Sequence, residues 1–149
     1  MKYLIKILFL LTFILPTFAA SSAPSPAGDW TGFYEDTQIP GAKIHVTVDQ
    51  NGILNAYYIE TYPKKDETLP TTCEGCPGTF ANKPLKNLPM LWGLVHKHGK
   101  WVDGHGFSLE RKQKFAATAW LSDDGNTLYV RGKVGLFSKT QKLQRLTSG

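Results

Sequence analysis

After residue 20 the chain has no long apolar run. Nowhere does it show an internal repeat, a clustered basic stripe, a phosphate-binding glycine loop or a serine set in a strand-turn-helix elbow. Each absence excludes something. Without a second apolar run, nothing beyond the leader can insert stably in a membrane as a helix. Nucleic-acid binders concentrate their positive charge, whereas here Lys64 and Lys65 are followed at once by Asp66 and Glu67, so no nucleic-acid partner is expected. Ser108 and Ser138 lie in no nucleophile elbow, and no acyl-transfer triad or phosphate cradle is visible. The chain therefore reads as a protein that is not an enzyme, and no cofactor is expected.

What is present points to one compact domain. The 149 residues are too few for two ordinary domains, and 42% hydrophobic with 19% charged residues is a globular balance. Fourteen glycines and nine prolines favour a turn-rich β protein over a helical bundle. Lys2 and Lys6 precede an apolar run from Ile7 to Phe18 that is short for a spanning helix and interrupted by Pro16. This pattern reads as a secretory signal over residues 1–19, cleaved after Ala19 with Ser21 and Ala23 as competing sites. No cysteine follows for lipid attachment. Removing Lys2 and Lys6 lowers the formal charge from +5 to +3.

Residues 20–27 are small or proline and read as a flexible leader. The fold is expected over 28–146, where apolar residues alternate in the β manner. Asn51-Gly52 suits a type I′ turn. That turn sets Val48 opposite Asn55, Val46 opposite Tyr57 and Ile44 opposite Ile59 on an inner face, with His45 opposite Tyr58 and Lys43 opposite Glu60 outside. A second hairpin is expected at Gly99-Lys100, joining 90–98 to 101–108. A third at residues 123–126 joins 114–121 to 127–131, and a glycine-rich corner leads to a last strand over 138–146. With a first strand over 30–35, eight short strands joined mostly by tight turns predict an all-β, up-and-down antiparallel barrel. A flattened sandwich is the alternative. The one long connection, 62–89, carries five prolines and both cysteines.

The order of several motifs is informative. Cys73-Glu-Gly-Cys76, Lys83-Pro84-Leu85, Leu88-Pro89-Met90-Leu91-Trp92-Gly93, Trp101-Val-Asp-Gly104, Val130-Arg131-Gly132, Gly135, Gln141 and Arg145 together resemble the exported bacterial family of domain of unknown function 2147 (DUF2147), over roughly 28–146. The resemblance implies a lipocalin-like barrel in the periplasm or outside a bacterial cell, and it brings no activity. The chain departs from that family at residues 109–114, where an Asp-Pro turn followed by Gly-Lys is usual, and at Leu143, where Trp is usual. Gly28-Asp29-Trp30 also resembles the lipocalin Gly-x-Trp opening, which implies Trp30 closing the barrel floor beneath Arg145.

Three sets of residues could carry chemistry. Cys73 and Cys76 in an exported chain read first as a local disulfide. A thioredoxin-type pair is opposed by Pro77-Gly78, and a soft-metal site would need further ligands. His96, Asp103 and His105 share one face in the expected second hairpin, but are read as polar residues near an exposed tip, with no tight metal site. The interior is the third set. Trp30, Tyr34, Val46, Asn55, Tyr57, Trp92, Leu94, Phe107, Phe115, Ala117 and Ala119 are the residues expected to line a space for one small, largely apolar ligand. Alternatives are an envelope protein that docks through its proline-rich loop on an unidentified partner, and a metal or redox accessory protein using Cys73 and Cys76.

Overall fold

A computed structural model describes residues 15–17, 19 and 22–147. The expected signal peptide lies almost wholly outside the described residues. Eight strands follow one another: β1 Gly28–Phe33, β2 Pro40–Val48, β3 Leu54–Thr61, β4 Leu88–Lys97, β5 Lys100–Ser108, β6 Gln113–Leu121, β7 Thr127–Val134 and β8 Phe137–Arg145. Each pairs antiparallel with the next and β8 returns to β1, closing an up-and-down barrel. Closure removes the free sheet edges, as expected for this class. Among the described residues no helix is long and apolar enough to cross a membrane. The barrel interior is apolar.

The β2–β3 hairpin is a correction. Val48 pairs with Leu54, Val46 with Ala56 and Ile44 with Tyr58, one residue away from the expected register. The turn is longer than two residues. Asp49 accepts hydrogen bonds on its carboxylate from the backbone of Asn51 (2.8 Å) and Ile53 (3.0 Å), and its carbonyl accepts one from Gly52. Only Gly52 is left-handed (φ 75°), which fits a type I turn followed by a glycine bulge rather than type I′. A one-residue slip exchanges the faces of a strand. Leu54, Ala56 and Tyr58 therefore enter the core, while Asn55, Tyr57 and Ile59 turn outward. A bulge between Lys43 and Ile44 then restores the expected Lys43–Glu60 pair.

Two other turns differ from expectation. Lys97 pairs with Lys100, so the β4–β5 turn is His98-Gly99, with both residues at positive φ, and His96 faces Trp101 rather than Asp103. Strand β7 runs on to Val134, and the glycine-rich corner is a two-residue turn at Gly135-Leu136 that sets Val134 opposite Phe137.

The two ends of the barrel are built differently. At the floor, the Arg145 guanidinium lies 4.3 Å from the Trp30 ring centre and donates to the carbonyls of Ser25, Ala27 and Gly125 at 2.6, 3.1 and 2.8 Å. The Trp30 indole N–H donates to Pro26 O at 2.9 Å, and Trp30 is fully buried. The segment expected as a flexible leader is thereby tied under the floor from Ser25 to Ala27. The other end, the mouth, is formed by the 34–39, 62–87, 109–112 and 135–136 connections.

The long connection folds back on the barrel. Cys73 and Cys76 form a disulfide with their Cα atoms 5.5 Å apart, and both are buried. Phe80 in the short 3-10 turn Gly78–Phe80 stacks on Phe107 at 4.1 Å between ring centres. Strand alternation places Phe107 on the outer face of β5, so the loop covers the outside of β4 and β5 as well as the mouth.

Candidate functional site

The mouth holds two adjoining cavities, of about 250 Å3 and about 450 Å3, that share Tyr58, Met90, Ser108 and Gln141. The first runs from Gly32, Ala42, Ile44 and Leu143 in the barrel wall to Leu69, Pro70, Leu85 and the Cys73–Cys76 disulfide in the long loop. The second is walled by Phe115, Val130, Gly132 and Val134, with Phe137 at its edge. Larger than the first, it falls within the ~300–1,000 Å3 range of small-molecule sites.

The space exists because the mouth layers carry small inward residues. Gly32, Ala42, Gly106, Ser108 and Gly132 occupy positions where longer side chains would fill the barrel. Phe115 uses part of the room: a Cβ at Gly106 would overlap its ring, and one at Gly132 would lie 2.9 Å from it. Nearer the floor, Trp30, Leu54, Leu94 and Leu128 are fully buried and close the cross-section.

The wall is apolar with few polar groups. The Tyr58 hydroxyl donates to Phe107 O at 2.9 Å, and burial pushes its pKa well above the ordinary phenol range, so it stays a neutral donor. Ser108 Oγ accepts from Arg111 N at 3.2 Å. Gln141 brings a side-chain amide to both walls, and Gln113 a second to the larger one.

A charged clasp crosses the rim. Arg111, in the β5–β6 connection, binds Glu35 at 2.5 and 2.9 Å, while Lys139 of β8 reaches Glu35 at 2.6 Å and Asp36 at 2.8 Å. Hydrogen bonds from Arg111 and then Lys139 hold the Glu35 carboxyl below its usual pKa, outweighing partial desolvation. Glu110 accepts from Glu35 N at 3.0 Å and lies 4.0 Å from Lys64. Lys112 and Lys114 also border the mouth, and neither has a carboxylate within 4 Å among the described residues.

The residues proposed from sequence scatter. Phe115 lines the larger cavity and Tyr34 the smaller one, where its hydroxyl donates to Tyr62 O at 2.6 Å. Val46, Leu94, Ala117 and Ala119 are buried in the packed core away from either cavity, and Trp30 belongs to the floor. Asn55 is outside, its Oδ1 accepting from Gly93 N at 3.1 Å to pin the β3–β4 bulge. Tyr57 is outside opposite His45. Trp92 and Phe107 belong to the cluster under Phe80, not to the interior. His96 packs on Trp101, His105 lies near Trp92, and Asp103 pairs with Lys97 at 3.0 Å, so the three do not meet. Among the described residues no group of three or more His, Cys, Asp or Glu side chains is placed to hold a metal.

Sequence reasoning missed Tyr58, Met90, Ser108, Gln141 and Leu143 as cavity residues. Tyr58 went with the register slip. Gln141 and Leu143 carried a usable signal, since alternation from Arg145 along β8 places both on the inner face.

Residues 28–145 match the family described as "Uncharacterized protein conserved in bacteria (DUF2147)". No curated protein matches the chain. Among solved structures, the Helicobacter pylori protein HP1028, described as belonging to the lipocalin family, superposes with a TM-score of 0.65 at 16% identity, covering 83% of this chain and 84% of that one. That likeness concerns the fold. The chain belongs to the DUF2147 family.

Proposed function

We propose that this DUF2147 protein is an exported binding barrel that holds one small, largely apolar molecule in its mouth. The observation that carries this reading is the asymmetry of the ends: Trp30 and Arg145 plug one, while small inward residues leave space at the other. A ligand entering there would bury its body against Met90, Phe115 and Leu143 and leave a polar end beside Ser108, Gln141 and the basic rim. Lys112, without a carboxylate partner among the described residues, suits an acidic head group. Export rests on the basic and apolar leader, and places the disulfide where oxidation persists.

The long loop supports a lid over a surface for docking. Its Phe80 and Leu85 and its disulfide are spent on covering the barrel, which leaves little apolar surface for a protein partner. The redox reading is weakened for a related reason, because both sulfurs are buried in that packing.

Titration with cis-parinaric acid, a fatty acid whose fluorescence rises in apolar surroundings, tests the proposal. One saturable site per chain, emptied by competing dodecanoate and weakened by Met90→Trp, is the expected result. A linear, unsaturable signal, or binding indifferent to Met90→Trp, refutes it.

A further inference from the structure

The tip of the β7–β8 hairpin is the most exposed apolar feature of the barrel. Leu136 is 98% exposed and Phe137 84%, with Val134 beside them at 40%. The turn does not demand this. Gly135 supplies the positive φ (57°) that a two-residue turn of this kind requires at its first position, and a polar residue would serve at 136. Nor does packing demand it, since Leu136 lies outside the buried core.

The tip also extends past the last strand pairs of its neighbours. Strand β8 pairs with β1 only through Trp30–Arg145 and Thr31–Gln144, so residues 137–143 have no partner on that side. On the other side, β6–β7 pairing ends at Ala116–Lys133. Only the tip, Val134 to Phe137, lies beyond strand pairing on both sides, and its end is apolar.

The charge carried by the hairpin itself has one sign. From residue 127 to the C-terminus the sequence has five basic residues and no aspartate or glutamate. Lys139 is engaged by Glu35 and Asp36. Arg131 and Lys133 have no carboxylate within 4 Å among the described residues, and the Arg131 guanidinium donates to Ser138 Oγ at 3.1 Å.

We infer that this tip docks on the surface of an anionic phospholipid bilayer, with Leu136 and Phe137 entering the interface and Arg131 and Lys133 meeting the phosphates. Apolar side chains at an apex, with Lys133 one pair and Arg131 three pairs behind, match the depth order of a membrane surface, where acyl chains lie below the anionic head groups. A protein interface would be expected to offer a flatter and broader apolar area than one turn. Because Val134 and Phe137 also edge the larger cavity, docking would hold the mouth against the lipid. The inference does not depend on the cavity being occupied.

Co-sedimentation with phosphatidylglycerol-rich vesicles tests it, comparing the parent chain with variants that share its N-terminus. Leu136→Ser and Phe137→Ser should each weaken partitioning by about tenfold, and Arg131→Gln and Lys133→Gln by about fivefold each. Added salt should release the protein, and phosphatidylcholine vesicles should not retain it. A Phe137→Trp variant should show its added emission shifting to the blue on the anionic vesicles. Since these side chains are exposed, unchanged melting curves will show that the fold is intact. Equal retention on neutral vesicles, binding indifferent to the tip substitutions, or a dimer in solution abolished by Leu136→Ser would overturn the inference. Failure of the parinarate titration with these results intact would remove only the cavity ligand.

Discussion

The same substitution, alanine to phenylalanine, should have opposite consequences at the two ends of the barrel. Ala42 borders the smaller mouth cavity, whereas Ala119 is fully buried in the packed half, away from both cavities. At Ala42 the new ring has somewhere to go. A cavity of roughly 150 Å3 accommodates a benzene-sized group, so the ring would occupy more than half of the about 250 Å3 present. Placing on the order of 100 Å2 of additional apolar surface out of water stabilises by about 2.5 kcal/mol at 25 cal/mol per Å2, and adjustment of neighbouring side chains takes back a similar amount, about 1–3 kcal/mol. Ala42→Phe should therefore leave unfolding free energy within about 1 kcal/mol of the parent.

At Ala119 there is no space to fill, only neighbours to displace. The overpacking cost of about 1–3 kcal/mol or more stands alone there. Urea denaturation followed by tryptophan emission measures both variants, with an unchanged slope as the check that the same surface is exposed. Parinarate titration supplies the second axis: Ala42→Phe should weaken binding by more than about tenfold, and folded Ala119→Phe should bind as the parent does. Equal destabilisation at the two sites, or undiminished binding by Ala42→Phe, would show that the mouth space is not a binding cavity.

Other outcomes follow from the same geometry. None of the four tryptophans borders either cavity, so native indole emission should change little on ligand binding, while Met90→Trp should respond. Arg145→Lys keeps the charge but loses the planar stack and the fork of carbonyl contacts, and should cost about 1–3 kcal/mol in urea denaturation. Glu35 has a depressed folded-state pKa, so its contribution is fully present above the unfolded-chain pKa and is lost as pH falls through the folded one. The melting-temperature gap between the parent and Glu35→Gln should be full at neutral pH and close under acid conditions; a gap that persists in acid would remove Glu35 as the clasp. The Cys73–Cys76 disulfide closes only a very short loop in the unfolded chain, so reducing it should change global stability little while hydrogen exchange of the 72–85 segment quickens.

The strand count and antiparallel order were legible because alternation and turn chemistry repeat along the chain. The floor was implied by the resemblance of Gly28-Asp29-Trp30 to the lipocalin opening, and the closed barrel does bring Trp30 and Arg145 together. The site was much less legible, for a reason visible at Asp49. Its carboxylate captures two backbone N–H groups and lengthens the hairpin turn by one residue. This local hydrogen-bond competition reverses the faces of Asn55, Tyr57 and Ile59, while the bulge at Lys43 hides the error by restoring the charge pair beyond it. Phe107 and Trp92 misled differently: they are buried, but by a loop packed on the outside of the sheet, and alternation cannot distinguish an inner face from a covered outer one.

Side-chain volume along the barrel axis decides where a ligand could lie. The floor half is filled by Trp30, Leu54, Leu94 and Leu128, with Ala117 and Ala119 as the small partners that let those bulky groups interdigitate. In the mouth half the inward positions are glycine, alanine or serine on β1, β2, β5 and β7, and one ring, Phe115, is asked to serve several of them. Small residues near the floor therefore complete a packed layer, whereas small residues near the mouth leave it incomplete. An alanine seen in sequence does not reveal which of these it does; its distance along the strand from the plugged end does. This places the open space next to the loop that carries the disulfide and to the charged clasp, which ties the 34–39 and 109–112 connections to β8.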